Sequence, residues 1–441
     1  MAEDNSDFIQ QFQQEVLSIK HINSEWAEDI AISMLSAFSA NVEFSTAKGK
    51  IPLNTWIIAI APSSAGKSLP IREYVYPLLN KVQERSGNLK TDFRLPSTFT
   101  PESMTEFLAT KHFDGIITRD EVSTLFKETS GRGYTIQLLE FLSTLYDGHI
   151  DRRYTISHGD KFVGKCYIVF LGATTPYLYN ILDAQTFIQG IGCRILWNVF
   201  DTTQRVFTKD DLFSKSMQDP TNNRITKIDE FVEHLSRLVE FTDINIAIDE
   251  KSKAAEIITE WANEIEKVAV ARDKEKKVLE ALYFRKSLVS LLKLCALRRL
   301  SRGLPDLKKR NVKDHVELLV EEQDVEWATN KIGYYNDCFV QMLQNWRKVP
   351  VERPIETMDN WYGAIEDIMK KDQDRLATRQ EIMATIRTNS NKLSEVLGSM
   401  VESGKIRKLT GIEVKALSDD VCIRHGIKKS NPNPGFIYKL I

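Results

Sequence analysis

The sequence predicts an α/β fold in which a largely parallel sheet lies between layers of helices. Between residues 55 and 200, short apolar segments alternate with segments of helical periodicity. These apolar segments have no polar face, which is typical of strands that are buried on both sides. The first of them, TWIIAIAP, runs into APSSAGKS at residues 61–68, a pattern typical of a phosphate-binding loop between a strand and a helix.

Length and composition limit the number of domains and the kind of partner. The chain has 441 residues, of which 42% are hydrophobic and 27% are charged, so two or three soluble domains are expected. A net charge of −2 excludes a uniformly basic surface, and any nucleic-acid contact must come from local patches or a channel. The five cysteines lie far apart without a Cys-x-x-Cys pair, which predicts reduced thiols and a cytoplasmic protein. The acidic N-terminus and the lack of a long apolar stretch predict no secretory signal and no membrane contact.

The N-terminal half is predicted to hold a helical segment followed by the α/β core. Residues 7–45 have the spacing of amphipathic helices, which predicts a helical N-terminal segment over 1–45. The core is expected over 46–205. Its predicted strands are TWIIAIAP, GIITRDE, YTISHG with DKFVGK, and CYIVFLGATT.

The C-terminal half is predicted to be mainly helical. Strand signals vanish after NVFD at 198–201, and 225–345 has a helical period, so a helical domain is expected over 206–345. The proline- and charge-rich stretch RKVPVERPIETMDN predicts a linker over 346–375. The last segment, 376–441, has the order helix, helix and β-ribbon, which is typical of a winged helix.

The loop APSSAGKS carries the groups that a nucleoside triphosphate needs. Lys67 is placed to reach the outer phosphates of ATP, and the Ser68 hydroxyl is placed to bind Mg²⁺. Ala61 stands where the strict pattern has its first glycine, so a turn that contains Gly-Lys-Ser by chance is the alternative. The candidate ATP-binding residues are Ser63, Ser64, Ala65, Gly66, Lys67 and Ser68.

An acidic pair at a strand end would complete a hydrolytic site, because hydrolysis needs a held Mg²⁺ and a polarised water. In FDGIITRDE the apolar residues lead to Asp120 and Glu121. Asp120 is the candidate for the Mg²⁺ site, and Glu121 is the candidate general base. The next apolar run, CYIVFLGATTP, ends in Thr174 and Thr175, and Thr175 is the candidate that orients the attacking water. The alternatives are a surface Asp-Glu pair and a threonine-rich strand end.

A fourth feature is GIGCRILWNVFD, which presents Arg194 just before another apolar run. The order of phosphate loop, acidic pair, polar strand tip and arginine favours an ATPase more strongly than any one of the four. Residues 140–201 resemble the second half of the AAA+ module of the minichromosome-maintenance replicative helicases. They equally resemble the P-loop ATPases of plasmids, phages and archaeal viruses.

The resemblance implies a fold and several residue roles. It implies an AAA+ P-loop core with a helical lid, in which YTISHGDKFVGK corresponds to a hairpin that projects into a central channel. It implies that Arg194 reaches the ATP of a neighbouring subunit in trans, and that Arg285 senses the nucleotide from the lid. Ala61, Thr175 and CRIL depart from the family pattern, and the family's N-terminal barrel has no counterpart, so the resemblance covers a module over 55–345.

Two basic regions are candidates for DNA contact. Residues 401–441 carry eight Lys or Arg against four acidic residues, while the predicted hairpin turn contains Gly-Asp, which is also an ordinary turn signal. Protein docking is the alternative role of a winged helix. The candidates are His158, Lys161 and Lys165 for a single strand in the channel, Asn391, Lys392 and Ser394 for bases, and Lys405, Arg407 and Lys408 for phosphates.

These features predict an ATP-dependent DNA helicase or translocase that uses ATP and Mg²⁺ and assembles as a ring, expected to be a hexamer. The resemblance implies a role in the replication of a mobile element or virus. One alternative is a DNA-binding initiator or regulator that ATP switches without unwinding. Another is a protein-remodelling AAA+ ATPase, for which Tyr134 in GRGYT is a weak pore-loop signal.

Overall fold

The computed structural model divides the chain into two compact units, residues 1–349 and 350–441. The described residues are 7–18, 22–47, 49–86, 93–110, 114–129, 134–150, 153–155, 159–161, 164–182, 186–187, 190–202, 227–307, 309–348, 358–386, 390–425, 427 and 437–441. Within this part of the chain, no helix combines the length and the apolar character that crossing a lipid bilayer requires.

In the described part of the chain, the first unit has helices around two four-stranded sheets and also contains two two-stranded sheets, while the second unit has one three-stranded sheet. The helices of the first unit are α1 (Phe8–Leu17), α2 (Ser24–Ala37), α3 (Ser68–Pro70), the π-helix Ile71–Val75, α4 (Tyr76–Arg85), α5 (Pro101–Thr110), α6 (Ser123–Thr129), α7 (Tyr134–Asp147), the 3₁₀ helix Pro176–Asn180, α8 (Ile228–Glu240), α9 (Lys253–Lys274), α10 (Val278–Leu307) and α11 (Glu322–Lys348). Those of the second unit are α12 (Met358–Lys371), α13 (Arg379–Ile386), α14 (Ser390–Glu402), α15 (Gly411–Lys415) and α16 (Asp419–Arg424).

The strands belong to both units. Those of the first unit are β1 (Val42–Thr46), β2 (Gly49–Ile51), β3 (Trp56–Ile60), β4 (Asp114–Arg119), β5 (His149–Ile150), β6 (Arg153–Thr155), β7 (Gly159–Lys161), β8 (Gly164–Lys165), β9 (Tyr167–Thr174), β10 (Leu196–Val199), β11 (Ile244–Ala247) and β12 (Val316–Leu319). Those of the second unit are β13 (Leu376–Thr378), β14 (Ile406–Lys408) and β15 (Ile437–Leu440).

The central sheet of the first unit has four parallel strands in the order β10-β3-β9-β4. Its register pairs Ile60 with both Thr174 and Val199. The carboxyl ends of β3, β9 and β10 therefore lie side by side at one edge of the sheet. The predicted α/β fold with a parallel sheet between helices is confirmed.

Both faces of this sheet are buried, which explains why its strands are apolar throughout. Along β3, Ile57 and Ala59 pack into the core that contains α1 and α2. Their neighbours Ile58 and Ile60 point the other way, into the core that contains α7. This alternation follows from the two-residue repeat of a strand, so helices on both sides are needed to cover the sheet.

Gly172 in β9 allows a close approach between this strand and the segment after β4. A Cβ atom added at Gly172 would lie 2.5 Å from Val122 Cγ2 and 2.7 Å from the Phe170 ring. We expect Gly172→Ala to lower the free energy of unfolding by about 1–3 kcal/mol, because overpacked cores cost that much. Chemical denaturation of the purified variant measures this change.

Gly333 offers the matched control, because a Cβ atom there would meet nothing within 4 Å. It lies inside α11, so Gly333→Ala should raise stability by up to about 1 kcal/mol through its helix propensity. A Gly172→Ala variant as stable as the unsubstituted chain would contradict the packing argument.

A second four-stranded sheet lies where the sequence predicts helices in two regions. Its four strands have the order β12-β11-β1-β2, with β12, β11 and β1 parallel and β2 antiparallel to β1. The predictions of helix up to residue 45 and of helices alone over 225–345 are wrong at β1, β11 and β12. The strands β11 and β12 span only four residues each, and a two-residue alternation over so short a stretch is hidden by the flanking helical pattern.

The hairpin region between α7 and β9 contains paired short strands. β5 pairs antiparallel with β8, and β6 pairs antiparallel with β7. The pairs Ile150 with Gly164 and Arg153 with Lys161 place the second ladder beyond the first. This nesting is the backbone pattern of a β-hairpin, as the stretch YTISHGDKFVGK predicts.

The second unit has a three-stranded antiparallel sheet in the order β13-β15-β14. Helices α13 and α14 precede β14 in the chain, in the predicted order helix, helix and strand, but α15 and α16 lie between β14 and β15, so the two strands do not follow one another directly as the predicted β-ribbon requires. The predicted linker over 346–375 is wrong at α12, because Ile365 and Met369 of this helix are buried in the core of the unit. The prolines and charges that predicted the linker precede most of the helix and do not extend through it.

Candidate nucleotide-binding site

The phosphate-loop segment lies at the sheet edge where ligands bind in open α/β sheets, outside the carboxyl ends of the strands. β3 ends at Ile60, and the loop continues to Lys67 before the helix begins at Ser68. β9 lies between β3 and β4. The loop, the tip of β9 and the acidic pair after β4 are therefore neighbours in that order.

The loop curls back on itself and exposes two serines. The Ala65 N–H donates to the Pro62 carbonyl over 3.0 Å. Gly66 adopts φ +76°, a left-handed conformation that side chains disfavour. Ser63 and Ser64 are exposed, while Ala65 is buried. Main-chain N–H groups before a helix and a permissive glycine are what an anion-binding loop requires.

Lys67 turns its ammonium group back towards the start of the loop. Its Nζ donates to the carbonyl oxygens of Ala61 (2.5 Å) and Pro62 (2.6 Å), and the residue is only 5% exposed. Burial lowers the pKa of Lys67, and the negative charge of Glu121 partly raises it. Carbonyl groups carry no net charge, so these hydrogen bonds do not neutralise the ammonium group. The loop therefore fits an anionic ligand such as the phosphates of ATP.

The acidic pair follows β4, and its two carboxyl groups have different surroundings. Glu121 Oε1 accepts hydrogen bonds from Thr174 Oγ1 (2.5 Å) and from the Ser123 N–H (3.0 Å). Asp120 is exposed, yet loss of hydration at its carboxyl group raises its pKa, while the charges of Arg72 and Arg94 lower it in part. Glu121 is thus held at the tip of β9, and Asp120 is left towards solvent, where a metal ion could approach.

Thr174 is the residue that sequence reasoning overlooked. It is fully buried at the end of β9, whereas the predicted water-orienting residue, Thr175, follows the strand and is half-buried. A pair of adjacent threonines gives no signal for choosing between them. The register that pairs Thr174 with Ile60 would have selected it. The role predicted for Thr175 stays a prediction.

Arg194 lies just before the amino end of β10. It is therefore at the end of the sheet opposite the phosphate loop, which follows the carboxyl end of β3. Its guanidinium forms a two-pronged ion pair with Asp147, with distances of 3.2 Å (Nε–Oδ1) and 2.8 Å (Nη2–Oδ2). It also lies 5.8 Å from the centre of the Tyr146 ring. The structure does not bring Arg194 to the phosphate loop of its own chain.

Arg285 also lies away from the phosphate loop. It is exposed in α10, and its guanidinium donates to Asp273 (2.7 Å) and Glu266 (3.2 Å) of α9. These hydrogen bonds raise its pKa. The predicted sensing role would require Arg285 to leave these carboxylates.

The structure describes only some of the side chains that are predicted to bind DNA. His158 lies outside the described residues, as do the side chains of Lys161 and Lys392, while Lys165 is exposed at the end of β8.

In the second unit, Lys405 lies 3.4 Å from Glu366 and Arg407 pairs with Glu413, while Lys408 is exposed. Exposed ion pairs of this kind contribute little to stability, so a phosphate group could displace them at low cost.

Comparison with protein-family models and with curated proteins yields no match to this chain.

Proposed function

We propose that the protein is a Mg²⁺-dependent ATPase of the AAA+ type, and that ATP hydrolysis drives its movement along DNA. The observation that carries the proposal is the arrangement at one sheet edge of Lys67, Thr174 and Glu121. Lys67 belongs to a loop suited to phosphates, and Glu121 is held by the strand tip between that loop and β4. This arrangement supports hydrolysis as well as binding.

Different residues of the loop would bind the phosphates and the Mg²⁺ ion. Main-chain N–H groups of Ser63, Ser64, Ala65 and Gly66 would surround the phosphates, and Lys67 would exchange its two carbonyl partners for the outer phosphates. Ser68 and Asp120 would hold Mg²⁺, which when bound draws charge from the phosphates.

Glu121 would accept the proton of the attacking water. Its Oε1 is engaged by Thr174 and Ser123, so we assign the proton to Oε2. Thr175, which directly follows the end of β9, would orient the water. The hydrogen bond from Thr174 fixes the orientation of the Glu121 carboxylate. A base held in one orientation spends less time in unproductive orientations, which favours a higher rate of hydrolysis.

Several observations support the AAA+ assignment and its ring. The order β10-β3-β9-β4 puts a polar strand tip between the loop and the acidic pair, as the resemblance to the replicative helicases implies. Arg194 lies at the amino ends of the strands, away from the phosphate loop of its own chain. This position is compatible with a role towards the nucleotide of a neighbouring subunit. The helices α9, α10 and α11 would serve as the lid. This region also contributes the strands β11 and β12 to the sheet that contains β1, so it is not helical throughout.

DNA would be bound by the hairpin and by the second unit. The nested ladders of β5 with β8 and β6 with β7 support a projecting hairpin, with the exposed Lys165 at its base. The antiparallel pair of β14 with β15, which follows α13 and α14 in the chain, supports a winged helix.

The test is ATP hydrolysis with and without single-stranded DNA. We expect DNA to stimulate the rate several-fold, and Lys161→Ala and Lys165→Ala to lose that stimulation. Lys267→Ala is the matched control, because its side chain is 71% exposed on α9, and it should respond to DNA like the unsubstituted protein. Hydrolysis that DNA does not change would contradict the motor while leaving the ATPase.

The second unit favours one second candidate, an ATP-switched DNA-binding initiator or regulator. Its exposed basic residues Lys405, Arg407 and Lys408 would suit a DNA contact with which such a protein reads a specific site. Sequence-specific DNA binding that persists in Lys161→Ala, without strand separation, would favour this candidate over the motor.

A further inference from the structure

Trp26 joins the N-terminal helix α2 to the phosphate loop. Its indole N–H donates to the main-chain carbonyl of Lys67 over 3.1 Å, and its side chain is fully buried. We propose that Trp26 is a positioning residue for ATP binding, because it fixes the backbone from which the Lys67 side chain extends. This inference rests on the proposed function.

Lys67 stands where the loop becomes a helix, and that helix is irregular. The Ile71 N–H donates to the main-chain carbonyl of Ser68, and Pro70 has no N–H to donate. The π-helix Ile71–Val75 follows, in which the Tyr76 N–H donates to Ile71. Local helical hydrogen bonds are thus weaker constraints here than in a regular α-helix. A donor from outside the helix therefore adds a restraint at the residue that must hold the phosphates.

Trp26 is itself held at its main chain. Asn23 caps α2, and its side-chain oxygen accepts from the Trp26 N–H over 3.0 Å. Such a cap typically stabilises a helix start by about 1 kcal/mol. The indole therefore extends from a fixed first turn.

Helix α2 is also anchored to the core by charge. Lys331 of α11 lies 2.7 Å from Glu25, 2.8 Å from Glu28 and 3.0 Å from Asp29. Asp29 is fully buried.

Asp29 also accepts from Asn198 of β10 (2.5 Å) and from Tyr335 of α11 (2.6 Å). This network binds α2 to β10 and α11, so the Trp26 indole has a fixed position relative to the central sheet. Lys67 is then restrained twice, at its carbonyl by Trp26 and at its ammonium by Ala61 and Pro62.

Trp26→Phe tests the inference, because phenylalanine keeps an apolar ring and lacks the indole N–H. Trp56→Phe is the matched control. Trp56 is 2% exposed, and its indole N–H also donates to a main-chain carbonyl, that of Ile168 over 2.9 Å, at the other end of β3.

We expect both variants to lose thermal stability, and only Trp26→Phe to weaken Mg-ATP binding, by about five- to tenfold, the effect of one lost hydrogen bond. Isothermal titration calorimetry on the full chain measures this affinity. Unchanged ATP affinity in Trp26→Phe, or an equal loss in both variants, would overturn the inference. An unsubstituted protein that does not bind ATP would instead overturn the proposed function, before any variant is compared.

Asn23 supplies a second test that does not alter the indole and serves if Trp26→Phe does not fold. Asn23→Ala removes the cap that holds the Trp26 backbone, and we expect ATP affinity to fall about threefold. Asn23→Asp keeps the acceptor oxygen and should restore the affinity, because Asp caps helices about as well as Asn. An Asn23→Ala variant with unchanged ATP affinity would count against Trp26 as a positioning residue.

Discussion

Replacing Glu121 by glutamine is expected to leave ATP bound and to reduce turnover by a factor of about 10²–10⁴, the usual contribution of a general base. The amide has nearly the same shape as the carboxylate, and its oxygen can still accept from Thr174 and Ser123. It cannot take up the proton of the attacking water. Single-turnover hydrolysis of pre-bound ATP measures the chemical step separately from binding.

Glu264→Gln is the control for this experiment. Glu264 is 69% exposed on α9 and pairs with Lys267, so its substitution should change neither binding nor turnover. Turnover by Glu121→Gln at the rate of the unsubstituted protein would remove Glu121 from the catalytic role.

Lys67→Met is expected to weaken ATP binding by about ten- to a hundredfold. Charge-assisted hydrogen bonds contribute about 1.5–3 kcal/mol each, and every 1.4 kcal/mol corresponds to a factor of about ten in affinity. Methionine keeps an unbranched apolar chain of similar length, so the buried stem stays packed. Titration of the variant with Mg-ATP measures the loss.

Lys81→Met is the matched control on the helix behind the loop. Lys81 is 38% exposed in α4 and pairs with Asp229. Its charge lies outside the loop, and ATP affinity should remain unchanged. Equal affinities in Lys67→Met and the unsubstituted protein would contradict the phosphate role of Lys67.

The strands of the central sheet could be predicted from the sequence because they are buried on both faces. TWIIAIAP and CYIVFLGATT are apolar without interruption, and they contain β3 and β9. The strands β11 and β12 could not be predicted, since four residues with one buried face resemble part of a helix. Their pairing with β1 also joins residues about 200 positions apart, such as Val42 and Ile244, and no local pattern reports such a distance.

The candidate site was predictable in outline and less so in detail. The chain order of loop, acidic pair and strand tip predicts one sheet edge, and the structure brings Lys67, Glu121 and the end of β9 together there. The choice of Thr174 over its neighbour depends on the register of β9. The contact of Trp26 with Lys67 depends on how α2 packs, and the ion pair of Arg194 with Asp147 depends on side-chain positions.

Steady-state release of phosphate from ATP by the unsubstituted protein and by Lys67→Met, each with and without Mg²⁺, tests the central claim most directly. The proposed function predicts release by the unsubstituted protein that needs Mg²⁺ and that falls to background in Lys67→Met. Equal release by the two proteins, or no release and no ATP binding by the unsubstituted protein, would contradict it.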